Sequence, residues 1–338
     1  MIQKQLFGKI NGQEVYLFTL KSEGLEAEVI EYAASVRAVY VTGKDGIRRN
    51  VVLSMKTLAE YAVNEYSLGA VCGRHANRIE GAKVVIEGVT YNLEKNDGNN
   101  SLHSGSNGFH HRIFSGEIIG ESVVFSLKSP HMDQGFPGNM DLKVIYSLTR
   151  ENGLRIEYRA VSDRDTICNL TNHSYFNLEG EGNILDHELM MAADFYTPLA
   201  PGCIPDGEIR RVMGTPFDFT VSRRIGTFID EGNVQVGEGY DHNFVLRGPA
   251  DQPAAVVRAP RSGICMKVYT TMPGIQLFTA SNLARYVSPD GKVSGKLSAL
   301  CLETQYFPNG CKYAHFPQPL LKKGEVRVQS TEYRFSTK

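Results

Sequence analysis

Lys83–Leu93 reads KVVIEGVTYNL, two short runs of β-branched and aromatic residues on either side of Glu87-Gly88. A strand, a tight turn and a second strand is the direct reading of such a pattern. The same texture recurs along the chain, at Val123–Leu127, Leu142–Leu148, Leu154–Val161, Val256–Pro260 with Ile264–Thr270, and Glu325–Phe335. Each run is bounded by Gly, Pro, Asn or Asp, and 33 glycines and 14 prolines supply the punctuation that many turns need. Helical periodicity is scarce. Met55–Asn64, with Leu58, Tyr61 and Ala62 on one face, is the best helix candidate, and Ser222–Asp230 is a weaker one. Many strands with little helix between them predict an all-β sandwich or barrel and exclude a βαβ fold.

Composition sets further bounds. The chain has 338 residues, 42% hydrophobic and 22% charged, with 36 basic against 37 acidic side chains. That is ordinary for a globular protein with a sizeable core. With no repeat or Pro/Ser-rich linker, one domain over 1–338 is the expectation. The densest basic stretches, such as Arg210-Arg211 and Lys322-Lys323, are only pairs. No basic stripe suits a nucleic acid and no long apolar run suits a membrane, so a small molecule is the expected partner. Six scattered cysteines without a CxxC pair read as free thiols in a reducing compartment, and no signal-peptide core opens the chain. A cytoplasmic protein, monomer or homodimer, is expected. Three glycosylation sequons, beginning at Asn99, Asn169 and Asn172, read as chance.

Chemistry enters where polar groups interrupt apolar strands. In Asn169–Leu178, NLTNHSYFNL, alternation places Thr171, His173, Tyr175 and Asn177 on one face and Leu170, Phe176 and Leu178 on the other. A surface of hydrogen-bonding groups carrying one imidazole is what a sugar needs, since a hexose presents a ring of hydroxyls and an apolar CH face. In Cys301–Phe307, CLETQYF, Glu303 shares a face with Gln305, and a carboxylate there is costly unless it is paired or used. In Pro273–Thr279, PGIQLFT, Gln276 sits in the same way between Ile275 and Leu277. Read singly, each has a plain alternative as a structural histidine or the solvated face of an edge strand.

Together with further segments, these stretches resemble the aldose 1-epimerase (galactose mutarotase) family. The matching segments are GRHANRIEG (73–81), NNSLHSG (99–105), QGFPGN (134–139), NLTNHSYFNL (169–178), GYDHNFVL (239–246), PGIQLFT (273–279) and CLETQYFPNG (301–310), in the family's order. The resemblance implies a large antiparallel β-sandwich, the galactose mutarotase-like supersandwich, with few short helices and an open sugar cleft. It implies anomer exchange in free hexoses such as galactose and glucose, with no cofactor and no metal. Glu303 matches the general base acting on the C1 hydroxyl, and His173 the general acid acting on the ring oxygen. His103 matches a second histidine near the ring oxygen and C1, and Asn77, Arg78, Asp241 and Gln276 match sugar contacts. His75 replaces a common tyrosine, Ala33 in EYAAS (31–35) replaces a common glycine, and the stretch after Glu303 follows the family loosely.

Such chemistry needs a base and an acid on opposite sides of the C1–O5 unit. Glutamate ionised and histidine protonated is the expected productive form, with Asp241 supporting one imidazole. Rival readings are weaker. Nine histidines include no HExxH, and His110-His111 has no nearby acidic or cysteine partner at ligand spacing. A hexose-phosphate epimerase calls for clustered arginines, and only Arg74 and Arg78 lie near a sugar motif. A pure sugar binder has no need of both Glu303 and His173. A glycosidase needs two carboxylates, with Asp241 and Glu303 as the one candidate pair.

Overall fold

The computed structural model describes residues 1–233 and 235–338. Three antiparallel sheets hold most of its strand residues. The largest has nine strands in the spatial order Ser115–Ile119, Ser122–Ser129, Met140–Leu148, Gly153–Ser162, Val326–Thr337, Ile264–Thr270, Ala255–Arg258, Glu188–Met191 and Arg223–Arg224. One five-stranded sheet is built from the N-terminal strands between Ile2 and Asn50. The other has the order Arg210–Arg211, Ala193–Tyr196, Asp241–Leu246, Gly274–Phe278 and Cys301–Gln305.

Period-two patterning explains how these layers meet. Across the large sheet Phe125 pairs Val144 and Val144 pairs Tyr158, while Tyr333 pairs both Leu154 and Val268. All of them are buried in one core with Phe18, Val29 and Val39 of the N-terminal sheet and with Phe244, Ile275, Leu277 and Leu302 of the third. One large sheet is therefore covered by two smaller ones, an all-β sandwich as the strand pattern and the resemblance imply. Tyr333 Oη donates to the Leu302 carbonyl at 3.2 Å, which ties the third sheet to the large one.

The Lys83–Leu93 reading is met, in a place of its own. Lys83–Ile86 and Val89–Asn92 form a two-stranded ribbon outside the three sheets, turning through Glu87 and Gly88, both at positive φ. The first helix is shorter than its periodicity suggests. It spans Leu58–Ala62, with Thr57 and Glu60 forming a reciprocal capping box and Leu58 and Tyr61 buried. Within Ser222–Asp230 only Thr227–Asp230 is helical, because Arg223–Arg224 pairs with Glu188 and Leu189 as an edge strand. Among the described residues no helix is long and apolar enough to cross a membrane.

Candidate active site

The third sheet supplies the floor of a cleft. Its strands Asp241–Leu246, Gly274–Phe278 and Cys301–Gln305 are in register, so that Asn243, Gln276 and Glu303 stand side by side. The adjoining row is Asp241, Phe278 and Cys301. Leu277 and Leu302 point the other way into the core, which leaves the polar residues on the cleft side. The sheet's pleat thus turns two isolated sequence oddities, Gln276 and Glu303, into neighbours.

His173 arrives from a different direction. Only Thr171–Asn172 of the segment 169–178 is strand, pairing Val71–Cys72. The following backbone is held bond by bond: His173 N–H donates to the Ala70 carbonyl at 2.8 Å, and Phe176 N–H to that of Leu300 at 2.7 Å. Leu170, Phe176 and Leu178 enter the main core as the alternation implies. Asn177 does not join the cleft, for its amide donates to the carbonyls of Glu181, Gly182 and Ser298. The His173 ring stacks on Tyr175 at 5.0 Å and meets Phe278 edge-on at 6.2 Å. Its Nε2 lies 3.5 Å from Glu303 Oε1, with both residues buried.

A third wall comes from the pairing of Ser101–Leu102 with Arg78–Ile79. His103 N–H donates to the Asn77 carbonyl at 3.0 Å, and Asn77 N–H returns a bond to His103 Nδ1 at 3.1 Å. Both residues hold positive φ, 61° for Asn77 and 50° for His103, which aims the pair at each other. Arg78 Nε donates to Asp97 at 2.7 Å and Nη1 lies 3.8 Å from Asp241. Gln276 donates to the other oxygen of Asp241 at 2.7 Å.

Glu303, His173, His103, Asn77, Arg78 and Asp241 therefore line one cleft, with Gln276 directly behind Asp241. The cleft's apolar wall is Leu102, Tyr175 and Phe278. Sequence reasoning did not single out Asp97, Phe278, Tyr66 or Asn282. Phe278 was legible as the alternate neighbour of Gln276 in PGIQLFT, whereas Asp97 sits in a turn-rich stretch with no periodicity to mark it.

Several motif residues are structural. Arg74 is 1% exposed and donates to Ser129 Oγ and to the carbonyls of Ser129, Pro130, Pro137 and Gly138. QGFPGN thus supplies part of the cage of this guanidinium, through the carbonyls of Pro137 and Gly138. With Arg74 enclosed and Arg78 committed to two aspartates, these two arginines form no phosphate cluster. His75, in place of the common tyrosine, is wholly buried, so that departure affects packing. Ala33, in place of the common glycine, takes φ of 56°.

Burial sets the electrostatics. It pushes the Glu303 carboxyl well above the usual carboxylate range; Asp241 adds to the rise and Arg78 opposes it. It pulls His173 down to about 4, against the upward pull of Asp241. Burial, and then the neighbouring His173, lower His103 as well. Burial thus favours the neutral form of each group, with the pair's one proton on Glu303, because a desolvated charge is expensive. This differs from the ionised glutamate and charged histidine expected of the productive form, yet the number of protons on the pair is the same. The Asp241 charge supports two imidazoles, His173 and the adjoining His242, and the His242 ring also accepts a bond from the Asp241 backbone N–H at 3.2 Å.

Comparison with known proteins bears on the family and the fold. The family described as aldose 1-epimerase matches residues 16–334. Galactose mutarotase of Sus scrofa is 38% identical, covering 99% of this chain and 98% of that protein. Aldose 1-epimerase of Escherichia coli K12 is 34% identical over 96% of each. The crystal structure of galactose 1-epimerase from Lactobacillus acidophilus superposes with a TM-score of 0.88 at 28% identity, covering 100% of this chain and 99% of that one. The chain belongs to the aldose 1-epimerase family.

Proposed function

We propose that this enzyme interconverts the α and β anomers of free aldoses such as galactose and glucose, with Glu303 and His173 moving the protons. The observation that carries the reading is their encounter, two buried titratable groups 3.5 Å apart on the floor of a polar cleft. Residues 1–338 act as one domain in this reading, supported by the core that joins all three sheets.

Exchange begins when sugar hydroxyls enter the cleft and the pair's proton passes from Glu303 to His173. Glu303 takes the proton from the C1 hydroxyl while His173 gives one to O5, and the C1–O5 bond breaks to leave an open-chain aldehyde. Rotation about C1–C2 turns the other aldehyde face toward O5. Reversal returns the O5 proton to His173 and the Glu303 proton to the new C1 hydroxyl. Each catalytic group ends as it began, which is why no cofactor is required. Arg78 and Asn77 bind the sugar, His103 lies beside the ring oxygen, and Gln276 holds Asp241 against it.

The test follows the optical rotation of freshly dissolved α-D-glucose and α-D-galactose. The wild type speeds the approach to equilibrium, while Glu303→Gln and His173→Asn each lose about 10²–10⁴ in rate. A wild type without effect on either sugar overturns the reaction. A fully active Glu303→Gln overturns the assignment of the base.

A further inference from the structure

Cys301 takes no part in the chemistry above, yet it stands on the same strand face as Glu303, two residues away. His173, Cys301 and Glu303 each offer one donor atom within 4.8 Å of the others, all three side chains being buried. Among the described residues this is the one such cluster of three. We infer that it is a latent site for a thiophilic divalent cation, Zn²⁺ above all, which inhibits the enzyme by seizing its catalytic pair.

The spacing fits a metal better than a hydrogen bond. His173 Nε2 and Glu303 Oε1 are 3.5 Å apart, beyond the usual range of about 2.7–3.2 Å. Tetrahedral zinc with bonds of about 2.1 Å sets its nitrogen and oxygen ligands about 3.4 Å apart. Movement of roughly an ångström brings a thiolate to its bond length of about 2.3 Å. The second carboxylate oxygen, Glu303 Oε2, is buried without a hydrogen-bond partner, as is His173 Nδ1. An unpartnered oxygen beside an imidazole and a thiol is a donor set of the kind zinc takes. The ion enters from the cleft, where Glu303 and His173 are lining residues, and displaces the thiol proton on binding. A fourth position stays open to water, as three protein ligands leave it.

Coordination is independent of the proposed reaction, whereas the inhibition rests on it, so two readouts are needed. Cobalt(II) is titrated into a Cys203→Ser background, which lacks the exposed thiol. A near-ultraviolet sulfur-to-cobalt band saturating at one ion per chain is expected, lost in Cys301→Ala and displaced by Zn²⁺. In the rotation assay Zn²⁺ raises KM for galactose at constant kcat. Cys301→Ala weakens that inhibition by about tenfold or more, measured against its own metal-free rate. Cys301→Ser keeps the volume without the soft donor and gives the same reading should the alanine variant fail to fold. Absence of the band at saturating Co²⁺, or its survival without Cys301, overturns the inference. A band in a chain that leaves sugars untouched preserves the metal site and overturns the proposed function instead.

Discussion

Asn77 N–H donates to Nδ1 of His103 at 3.1 Å, so a backbone amide decides which nitrogen of that imidazole carries hydrogen. Nδ1 must accept, and the neutral ring is held as the Nε2–H tautomer. Burial and the neighbouring imidazoles keep His103 neutral. It is therefore fixed as a donor through Nε2. Nitrogen-15 spectra of the resting enzyme should show a protonated Nε2 and a bare Nδ1 at this residue from pH 6 to 8. A predominant Nδ1–H form sinks the reading.

The shifts of Glu303 and His173 set the pH profile. With one proton on the pair the enzyme is competent. Acid adds a second proton to His173, which burial holds at about 4 instead of near the usual 6.5. Alkali removes the one proton, and burial delays that loss by raising Glu303. The plot of kcat/KM against pH should be bell-shaped with an acid limb near 4, its limbs belonging to the pair as a unit. An acid limb at 6.5 excludes this account of the resting state.

Asp241 raises both groups, so its removal has a signed consequence. Asp241→Asn should lower the acid limb, because His173 loses the neighbour that favours its charge. The alkaline limb should fall too, because Glu303 loses a repelling charge. KM should rise as well, with Gln276 and Arg78 left without their common partner. Limbs that move in opposite directions refute the assignment of these influences to Asp241.

How far the sequence discloses this site depends on how each residue is held. Gln276 and Glu303 sit in true strands, where alternation against Leu277 and Leu302 exposes them as polar intrusions. His173 lies in a segment that reads as one strand and is not. Its backbone bonds run to Ala70 and Leu300, and that of neighbouring Asn177 to Val51, three separate segments. Alternation survives there because each bond still fixes a face, but a continuous ladder does not form. The pairing of Asp97 with Arg78 leaves no periodic trace, since it joins a turn to a two-residue strand. The hairpin at 83–93 reads correctly as local structure, while its separation from the three sheets is set by contacts distant in sequence.

Arg74 separates folding from chemistry within the GRHANRI motif. It lies three residues before Asn77, yet its guanidinium faces away from the cleft into the carbonyls of residues 129–138. Arg74→Met should leave those carbonyls buried and unpaired while removing the charge that they solvate together with the hydroxyls of Ser129 and Thr166. The expected loss is about 3–5 kcal/mol, as for breaking other buried charge networks. Urea unfolding of the variant checks this, with an unchanged m-value showing that stability alone has moved. The fraction that remains folded should retain its KM for galactose, because none of the cleft residues bonds to this side chain. A stable variant with a raised KM shows instead that Arg74 serves the sugar.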